Sequence, residues 1–576
     1  MTFGERLKIF VCNHKSIVIS TAINTFFLLM LLWFNGVQYE LSDDMFFSMN
    51  IANGDYNYIF CNYFIQYLSG VLQKLIYPLN AFMLLQLVLG FVGMTSITYI
   101  LLEIAGYKKG LFLVLFLESA FAINVYSLIT FTKTAAVLLT AGAIMIFWAV
   151  CEKKKLRYSV FGLIMVLLGS FYRFKIFYSV IAVFGFFVPG YLVYRTEKPY
   201  VKGFLAECKQ LFTIKTVLIL LILFVSVFSF KGISNAIIYS DKEVKEYAEY
   251  NTYRSSVVDF RFPSYGSHWE EYDALGITEA DITMIRQWYF DDEGVGSLDK
   301  LKALTKMQEN RQTERAYLSG MYHEFVGNAE NLFFIVYILI VAGILTLYNK
   351  KSLIHIFFVT FGVGLLYLYL YLIGRCNYRV TFSMWFAATV CLMYSCSFFK
   401  AKVYDSKKQF LLKRIAAIGG VFLYLFSFGY GICLTTPEVL LREGLSYPEL
   451  EKYITSTENS VFALGRYPYL NFRNSTLYDN PLLVPQNEAF EKCVYFGTPY
   501  FNHPSYKKLL KSKGIDNLYT ALADMDNLYF VDDKNNHINL LVGYLNRYYG
   551  EDRSYFGQPI INVAEFKIYK IITYDK

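Results

Sequence analysis

The sequence is short of charge and of clustered metal ligands. Asp, Glu, Lys and Arg make up 17% of its 576 residues, whereas hydrophobic residues make up 55%, and the mean hydropathy is +0.36. This composition argues against a string of soluble domains and is typical of membrane proteins. The nine cysteines are scattered, with no CxxC pair and no Cys/His cluster, which disfavours both a disulfide framework and a zinc site.

The formal net charge of +8 does not indicate a nucleic-acid partner. Lys and Arg gather in short loops beside apolar runs, which is the pattern of cytoplasmic loops in membrane proteins rather than of a nucleic-acid-binding patch. Aromatic residues make up 19% of the chain, with 53 Phe and 50 Tyr. Phenylalanine suits contact with lipid, and tyrosine suits membrane interfaces and sugar-binding surfaces.

Eleven stretches are apolar and long enough to cross a bilayer, which takes about 20 helical residues. They lie near 16–35, 80–103, 110–128, 131–150, 158–172, 175–194, 212–231, 331–348, 353–373, 379–399 and 415–434. The first has the form of a signal peptide, but no A-x-A-like cleavage site follows Phe34, so we expect a retained anchor. The sequence thus predicts a multi-span α-helical membrane protein with about 11 transmembrane helices.

The distribution of positive charge predicts the orientation of these spans. If the N-terminus is cytoplasmic, every connection on the inner side is rich in Lys and Arg, as cytoplasmic loops are. These connections contain Lys108-Lys109, Lys153 to Arg157, Arg195 to Lys209, Lys350-Lys351 and Lys400 to Arg414. We therefore expect a multi-pass protein of the plasma membrane whose C-terminus is extracytoplasmic.

Three regions on the predicted outer side are large. Residues 36–79 and 232–330 connect spans of a polytopic membrane domain, which we place at 1–434, and residues 435–576 follow the last span. This C-terminal segment alternates helical patterns with short strand-like runs and predicts a small extracytoplasmic α/β domain. The runs are Val461 to Leu464, Cys493 to Phe496, Leu528 to Val531 and Phe566 to Lys570.

Local patterns predict helices in the first two outer regions. Between Phe60 and Ile76, apolar and polar residues fall on opposite sides at helical spacing, so we expect an amphipathic helix that lies in the outer interface rather than crossing the bilayer. Thr278 to Asp281 has the pattern of a capping box, and Ser297 to Asp299 also fits the start of a helix.

An acidic motif follows the first span directly. The stretch Tyr39-Glu40-Leu41-Ser42-Asp43-Asp44-Met45 puts two carboxylates where the chain leaves the membrane. Neighbouring carboxylates repel each other, and their pKa values couple if both face one cavity. This position favours a membrane enzyme with acid/base chemistry on its outer face. The alternatives are a solvated loop start or an N-cap for a helix beginning near Met45.

Five cations lie in short outer turns, where the charge rule disfavours them. They are Lys133 at the start of the fourth span, Arg173 and Lys175 between spans five and six, and Arg375 and Arg379 between spans nine and ten. Placing a cation in the membrane costs roughly 2.5–3.5 kcal/mol at the centre and less near the interface. Cations at one depth therefore suggest a common anionic partner, and arginine suits a phosphate. Each cation could instead reach outer headgroups, or pair with Glu118 or an acidic loop.

Two further groups lie in 232–330. His268 and Arg261, close in sequence to Tyr265 and Trp269, are candidate acceptor-side residues, although His268 also fits a surface loop. The acidic run Asp291-Asp292-Glu293 fits a solvated segment that closes a helix. From the sequence alone, neither group defines a chemistry.

Together these features resemble the bacterial GT-C-type glycosyltransferases, membrane enzymes that use polyprenyl-phosphate-linked sugars. The resemblance rests on Ser42-Asp43-Asp44 after the first span, the helix at 60–76, the basic outer turns and the C-terminal outer segment. It covers the whole chain in architecture but only short motifs in sequence. It implies a GT-C-like fold, a polyprenyl-phosphate sugar donor and a cell-envelope glycan or glycolipid acceptor.

The resemblance also implies roles for individual residues. Asp43 or Asp44 is expected to take the proton from the acceptor hydroxyl. The donor phosphate is expected to be held, as its negative charge develops, by Arg375, Arg379, Arg173, Lys175 and Lys133. A site outside the cytoplasm explains why no nucleotide-binding glycine-rich loop is needed, and none is found. The sequence requires no cofactor, although some family members use a divalent cation at the acidic motif.

Two other classes of protein fit parts of the pattern. A lipid-linked saccharide flippase would also use outer cations, but it would need neither the Asp pair nor two large outer regions. A polysaccharide polymerase or ligase would place its key residues in 232–330, at Arg254, Arg261 and His268. The sequence does not specify the sugar, the acceptor, the lipid chain or the stereochemistry.

Overall fold

The computed structural model describes most of the chain. The described residues are 14–34, 36–39, 42–196, 200–258, 264–309, 318–327, 331, 334–335, 338–339, 342–343, 352–397, 414, 447–465, 481–484, 488–497, 500–533 and 536–576. The predicted span at 415–434 and the candidate residue Arg261 lie outside these ranges. The predicted span at 331–348 is described only in part.

The chain divides into two compact units, each assembled from separate stretches of sequence. The first comprises Met1–Ala236, Leu318–Tyr371 and Cys376–Glu438, and the second comprises Ile237–Tyr317, Leu372–Arg375 and Val439–Lys576. The domain boundary at 434/435 that the sequence suggests stays a prediction.

Helices make up most of the described residues. In chain order they are α1 (Lys15–Phe34), α2 (Ser42–Ala52), α3 (Tyr63–Ile76), α4 (Ala81–Tyr126), α5 (Phe131–Cys151), α6 (Leu156–Tyr172), α7 (Phe174–Arg195), α8 (Tyr200–Leu211), α9 (Ile214–Ile238), α10 (Lys242–Val258), α11 (Trp269–Ala274), α12 (Glu279–Arg286), α13 (Glu293–Gly296), α14 (Leu298–Glu309), α15 (Leu318–Val326), α16 (Ser352–Leu372), α17 (Tyr378–Ser397), α18 (Tyr447–Ser456), α19 (Glu488–Glu491), α20 (Pro504–Ser512), α21 (Leu518–Asp524) and α22 (Ile538–Tyr548).

Six of the described helices are long and apolar enough to cross a membrane: α1, α4, α5, α7, α9 and α16. Helix α6 is also apolar but shorter. A chain with this many apolar helices is a membrane protein, as the composition predicts. The count of eleven spans and the cytoplasmic N-terminus stay predictions.

Helix α4 covers two predicted spans and is broken between them. Gly106 has φ 71° and ψ 163° inside the helical run, a conformation that glycine adopts readily because it has no Cβ. The break lies beside Lys108-Lys109, in the connection that the sequence predicts between 80–103 and 110–128. The α4 element is therefore two helices joined at a glycine.

Helices α5 and α6 approach closely at glycine residues. A Cβ added at Gly142 would lie 2.5 Å from the Gly162 carbonyl oxygen and 2.8 Å from the Val166 nitrogen. A Cβ added at Gly162 would lie 2.8 Å from the Gly142 carbonyl oxygen. Small residues at such contacts let two backbones come together, which is a common way to pack membrane helices.

Replacing Gly142 by Ala is expected to destabilise the protein. The new methyl group meets backbone atoms that cannot move aside, and overpacking of this kind costs about 1–3 kcal/mol. Thermal unfolding of the detergent-purified protein measures the effect as a lower midpoint. Gly185→Ala is the matched control, because no heavy atom lies within 4 Å of its added Cβ. Equal midpoints for the two variants would contradict the close contact.

Helix α3 is the amphipathic helix that the sequence predicts, and its apolar side faces outward. The buried residues include Gln66, Ser69 and Gln73, whereas Tyr67 and Leu75 are exposed. The buried amides are satisfied by backbone groups of the adjoining loops: Gln66 bonds Tyr58 and Cys61, and Gln73 bonds Leu79 and Ala81. An apolar surface turned outward over a polar underside suits contact with lipid. Its placement in the outer interface stays a prediction.

A five-stranded mixed sheet forms in the second unit. Its strands are β3 (Val461–Leu464), β4 (Cys493–Tyr495), β5 (Leu528–Asp532), β6 (Arg553–Val563) and β7 (Phe566–Asp575), in the order β4-β3-β5-β7-β6. Strand β3 pairs parallel to β4 and β5, and β7 pairs antiparallel to β5 and β6. All four strand-like runs predicted from the sequence are confirmed as strands. The extracytoplasmic position of this segment stays a prediction.

Candidate functional site

A two-residue parallel pairing in the first unit positions the acidic motif. Strand β1 (Gln38–Tyr39) pairs with β2 (Leu128–Ile129), so the chain leaving α1 meets the chain leaving α4. Helix α2 then begins at Ser42 and helix α5 begins at Phe131. Asp43 and Asp44 lie in the first turn of α2, beside the start of α5.

Asp44 is fully buried and supports the first turn of α5. Its Oδ1 accepts hydrogen bonds from the Phe131 N–H at 2.7 Å and from Gln86 Nε2 at 3.2 Å. The Phe131 N–H belongs to the set of helix-start donors that have no partner within the helix. A carboxylate here is also stabilised by the positive end of the helix dipole. Asp44 therefore acts at the start of a different helix from the one expected for an N-cap near Met45.

Replacing Asp44 by Ala is expected to lower stability more than replacing it by Asn. Alanine leaves the buried Phe131 N–H and the Gln86 amide without their acceptor, at a cost of about 1–3 kcal/mol. Asparagine keeps one carbonyl oxygen and can retain the contact with Phe131. Thermal unfolding of the two variants measures the difference. A wild-type midpoint for Asp44→Ala would contradict the supporting role.

Asp43 lies beside Arg379, from the first turn of α17. The Arg379 Nη1 donates to Asp43 Oδ2 at 3.2 Å, and the two side chains are 24% and 28% exposed respectively. These residues are separated by 336 positions in sequence. The fold therefore brings one member of the Asp pair together with one of the five predicted cations, at a place that water or a ligand can reach.

Arg173 lies between two aromatic rings next to the same site. Its guanidinium carbon is 5.4 Å from the Phe60 ring centre and 5.2 Å from that of Phe131, the residue whose N–H bonds Asp44. Such cation–π contacts hold a guanidinium in place without neutralising it. Arg173 thus lies against Phe131, whose N–H bonds Asp44.

The Cys61 thiol lies close enough to both aspartates and to Arg173 for their charges to affect its pKa. Burial raises the pKa of Cys61, and Arg173 and Lys231 lower the pKa while Asp44 and Asp43 raise it. Charges from α2, from the turn between α6 and α7 and from α9 therefore act on one thiol. Lys231, whose ammonium lies 5.7 Å from the Phe174 ring centre, is a cation that the sequence analysis missed. Its position at the end of the seventh predicted span is the signal that could have found it.

Lys133 is buried and has internal partners. Its Nζ donates to Asn124 Oδ1 at 2.7 Å and lies 5.2 Å from the Tyr378 ring centre and 5.8 Å from that of Phe382. Tyr378 precedes Arg379, so Lys133 packs beneath the helix turn that carries this arginine. These contacts favour a supporting role for Lys133, and its contact with a phosphate stays a prediction.

The remaining candidate residues are placed as follows. Lys175 is exposed at the start of α7, and Arg375 is half-buried in the turn after α16, in a segment grouped with the second unit. His268 is half-buried in the second unit, with Nδ1 2.7 Å from Ser267 Oγ. The roles of Lys175, Arg375 and His268 stay predictions. Glu118 is buried in α4, and within the described ranges no ion pair links it to the five cations.

One group of side chains in the second unit has the composition of a metal site. Ligand atoms of Asp532, Asp533 and His537 lie within 4.8 Å of one another, and all three residues are buried. The Asp532 carboxylate is already engaged, because it accepts the N–H groups of Asp533 at 2.9 Å and Ile538 at 2.8 Å. These bonds give the carboxylate a structural role at the start of α22.

Comparisons with known proteins give no sequence relative. No protein-family model matches the chain, and no curated protein matches it. Among solved structures, it is similar to a crystal structure of ArnT from Cupriavidus metallidurans bound to undecaprenyl phosphate, with a TM-score of 0.38, 11% identity, and coverage of 96% of this chain and 98% of that one. A crystal structure of the same protein in the apo state gives a TM-score of 0.38, 10% identity, and coverage of 97% and 98%. At this TM-score the likeness assigns neither a fold nor an activity.

Proposed function

We propose that this chain is an integral membrane glycosyltransferase that transfers a sugar from a polyprenyl-phosphate donor to a cell-envelope acceptor on the outer face. The observation that carries the proposal is the contact between Asp43 and Arg379 at 3.2 Å. It provides a proton acceptor and a phosphate-binding cation side by side, in a membrane protein. Arg173 supplies a second cation close to the same carboxylates.

The two aspartates have different parts in this proposal. Asp43 is half-exposed and reachable by an acceptor hydroxyl, which a general base must approach to about 2.6–3.2 Å. Asp44 is buried and holds the start of α5, so it positions Asp43 and the α2 turn without contacting substrate. The sequence left the choice between them open, and burial favours Asp43 as the base.

The proposed reaction needs only groups of these kinds. The acceptor oxygen attacks the anomeric carbon of the donor, the bond from that carbon to the phosphate oxygen breaks, and its electron pair leaves with the phosphate. Asp43 takes the acceptor proton. Arg379 donates to the leaving phosphate, whose negative charge increases as the bond breaks. An arginine has five N–H donors, so Arg379 can bind the phosphate while it still orients Asp43.

The competing polymerase or ligase hypothesis requires available basic residues in 232–330. Arg254 is buried, bonds Asn251 and lies 5.4 Å from the Trp288 ring centre. An arginine held in this way stabilises its own unit. The residues that the structure describes therefore favour the site at Asp43 over a site at Arg254.

The proposal is tested by reconstituting the full chain in liposomes with labelled polyprenyl-phosphate sugars. A panel carrying glucose, galactose, mannose and N-acetylglucosamine is supplied together with a cell-envelope extract as acceptor. We expect release of polyprenyl phosphate and transfer of label from at least one donor. Movement of intact lipid-linked sugar across the bilayer, with no cleavage of the sugar–phosphate bond, would support the flippase hypothesis instead. No turnover with any donor would contradict the transferase proposal.

A further inference from the structure

The second unit contains a cavity of about 570 Å³ that the transferase proposal does not use. Helix α10 lines one side, the segment 291–298 lines another, and the stretch 501–518 completes the wall. Sites for small ligands typically have volumes of about 300–1,000 Å³. The cavity is therefore large enough for a small organic molecule, and all its lining residues belong to the same compact unit.

Two aspartates in the wall were expected to be solvated, and this expectation is wrong. Asp291 and Asp292 are both buried. Asp291 accepts the Gly497 N–H at 2.7 Å, and Asp292 accepts from Asn517 and Tyr549 and also bonds Tyr544. Asp291 and Asp292 are thus a fixed part of the cavity wall, because donors from distant parts of the chain compensate their burial.

The charge of the lining indicates what the cavity binds. Glu246, Glu293 and Asp516 line it in addition to the two buried aspartates, whereas only two lysines, Lys507 and Lys511, do so. An excess of carboxylates disfavours a phosphate or another anion. Carboxylates accept hydrogen bonds from hydroxyl and amino groups, so the lining suits a ligand rich in those donors.

Aromatic and amide groups add features that suit a sugar. Phe501 is half-buried and its ring lies 5.8 Å from that of Tyr250, at 65°. A ring fixed in this way offers a flat apolar surface, and the amide of Asn502 carries both donors and an acceptor. The apolar face and the hydroxyl edge of a sugar require these two kinds of surface together.

Tyr250 provides an independent sign that the cavity is built for a ligand. It is 6% exposed and lines the cavity, and within the described ranges its hydroxyl has no hydrogen-bond partner. A buried hydroxyl without a partner is costly. The cavity that Tyr250 lines is the adjacent space from which a ligand would supply a partner for this hydroxyl.

We propose that this cavity is a binding site for a saccharide that carries no negative charge, with Phe501 against the sugar ring and Asn502 bonded to its hydroxyls. The site stands on the lining of the second unit alone. It does not depend on the transferase chemistry at Asp43.

Direct binding to the full chain in lipid nanodiscs tests this inference. The probes are glucose, N-acetylglucosamine, glucosamine, cellobiose and lactose, with glucuronate as the anionic counterpart. Saturation-transfer NMR and calorimetry measure binding without a lipid donor. We expect at least one neutral or amino sugar to bind and glucuronate to bind at least tenfold more weakly. Binding of none of the probes, or equal binding of glucuronate, would overturn the proposal.

Three variants locate the binding. Phe501→Leu and Asn502→Gly should each weaken the affinity about fivefold or more, which corresponds to losing about one net hydrogen bond or its equivalent. Glycine suits position 502 because Asn502 has φ 67°. Lys508→Ala, on α20 but outside the cavity lining, is the control and should bind normally. Sugar binding that all three variants retain would place the ligand elsewhere and overturn the assignment.

The same assay separates this inference from the transferase proposal. Asp43→Asn should lose transfer and retain sugar binding, because Asp43 belongs to the first unit. If no donor is turned over but the cavity binds sugar, the transferase proposal fails and this one stands. If transfer occurs but no sugar probe binds, the proposal of a saccharide site fails and the transferase proposal stands.

Discussion

Asp43→Asn is expected to reduce the rate of sugar transfer by about 10²–10⁴-fold, the usual contribution of a general base. An amide cannot take the acceptor proton, although it can still accept a hydrogen bond from Arg379. Because Asp43 is half-exposed, loss of its charge should leave folding and membrane insertion intact. The measurement is the initial rate of polyprenyl-phosphate release by the reconstituted protein, together with its unfolding midpoint.

Two other aspartates serve as controls for this result. Asp55→Asn changes a carboxylate in the same outer region, 36–79, and should retain the wild-type rate. Asp44→Asn is expected to lower stability but to leave the proton acceptor, Asp43, in place. The fraction of this variant that remains folded should therefore retain activity. A wild-type rate for Asp43→Asn, or loss of transfer only in Asp44→Asn, would remove the base assignment from Asp43.

Arg379→Ala is expected to lower transfer by about 10²–10³-fold, as removal of a group that stabilises a developing oxyanion typically does. Arg379→Lys should retain more activity than Arg379→Ala, because lysine keeps the charge. It should remain less active than the wild type, because lysine lacks the planar fork that matches a phosphate. The rate as a function of donor concentration is the measurement. Both the maximal rate and the apparent donor affinity should fall in the alanine variant.

The matched control for this result is Arg157→Ala. Arg157 lies at the start of α6 and packs on Tyr158, outside the acidic site.

Residues that act as a unit show non-additive losses. The double variant Asp43→Asn with Arg379→Ala should therefore be much less impaired than the product of the two single losses. Unchanged donor dependence in Arg379→Ala, or fully multiplicative losses in the double variant, would contradict a shared site.

Periodicity and turn chemistry predicted much of the local structure. The capping box at Thr278 and Asp281 forms as expected, and the broken α4 element follows from two apolar stretches joined at Gly106. Strand β6 was missed, because Gly557 and Pro559 interrupt its pattern. It is an edge strand with a register irregularity between Pro559 and Ile561, where proline is tolerated.

The residue types of the proposed site could be predicted from the sequence, but their contacts could not. Charges in unfavourable places identified Asp43, Arg173 and Arg379, because electrostatic cost is readable from sequence. The different contacts of Asp43 and Asp44 were not readable, since those of Asp44 are made with Gln86 and the Phe131 N–H. Long-range pairing of this kind has no local signal. The same reason explains why the acidic run at 291–293 was assigned to solvent although Asp291 and Asp292 are buried.

The most direct test of the central claim is an experimental structure of the full chain in nanodiscs with added polyprenyl phosphate. We predict that the lipid phosphate lies within about 2.7–2.9 Å of an Arg379 nitrogen, the length of a charge-assisted hydrogen bond, with the Asp43 carboxylate facing the same space. A phosphate bound away from Arg379, or an Asp43 carboxylate turned away from it, would contradict the transferase proposal.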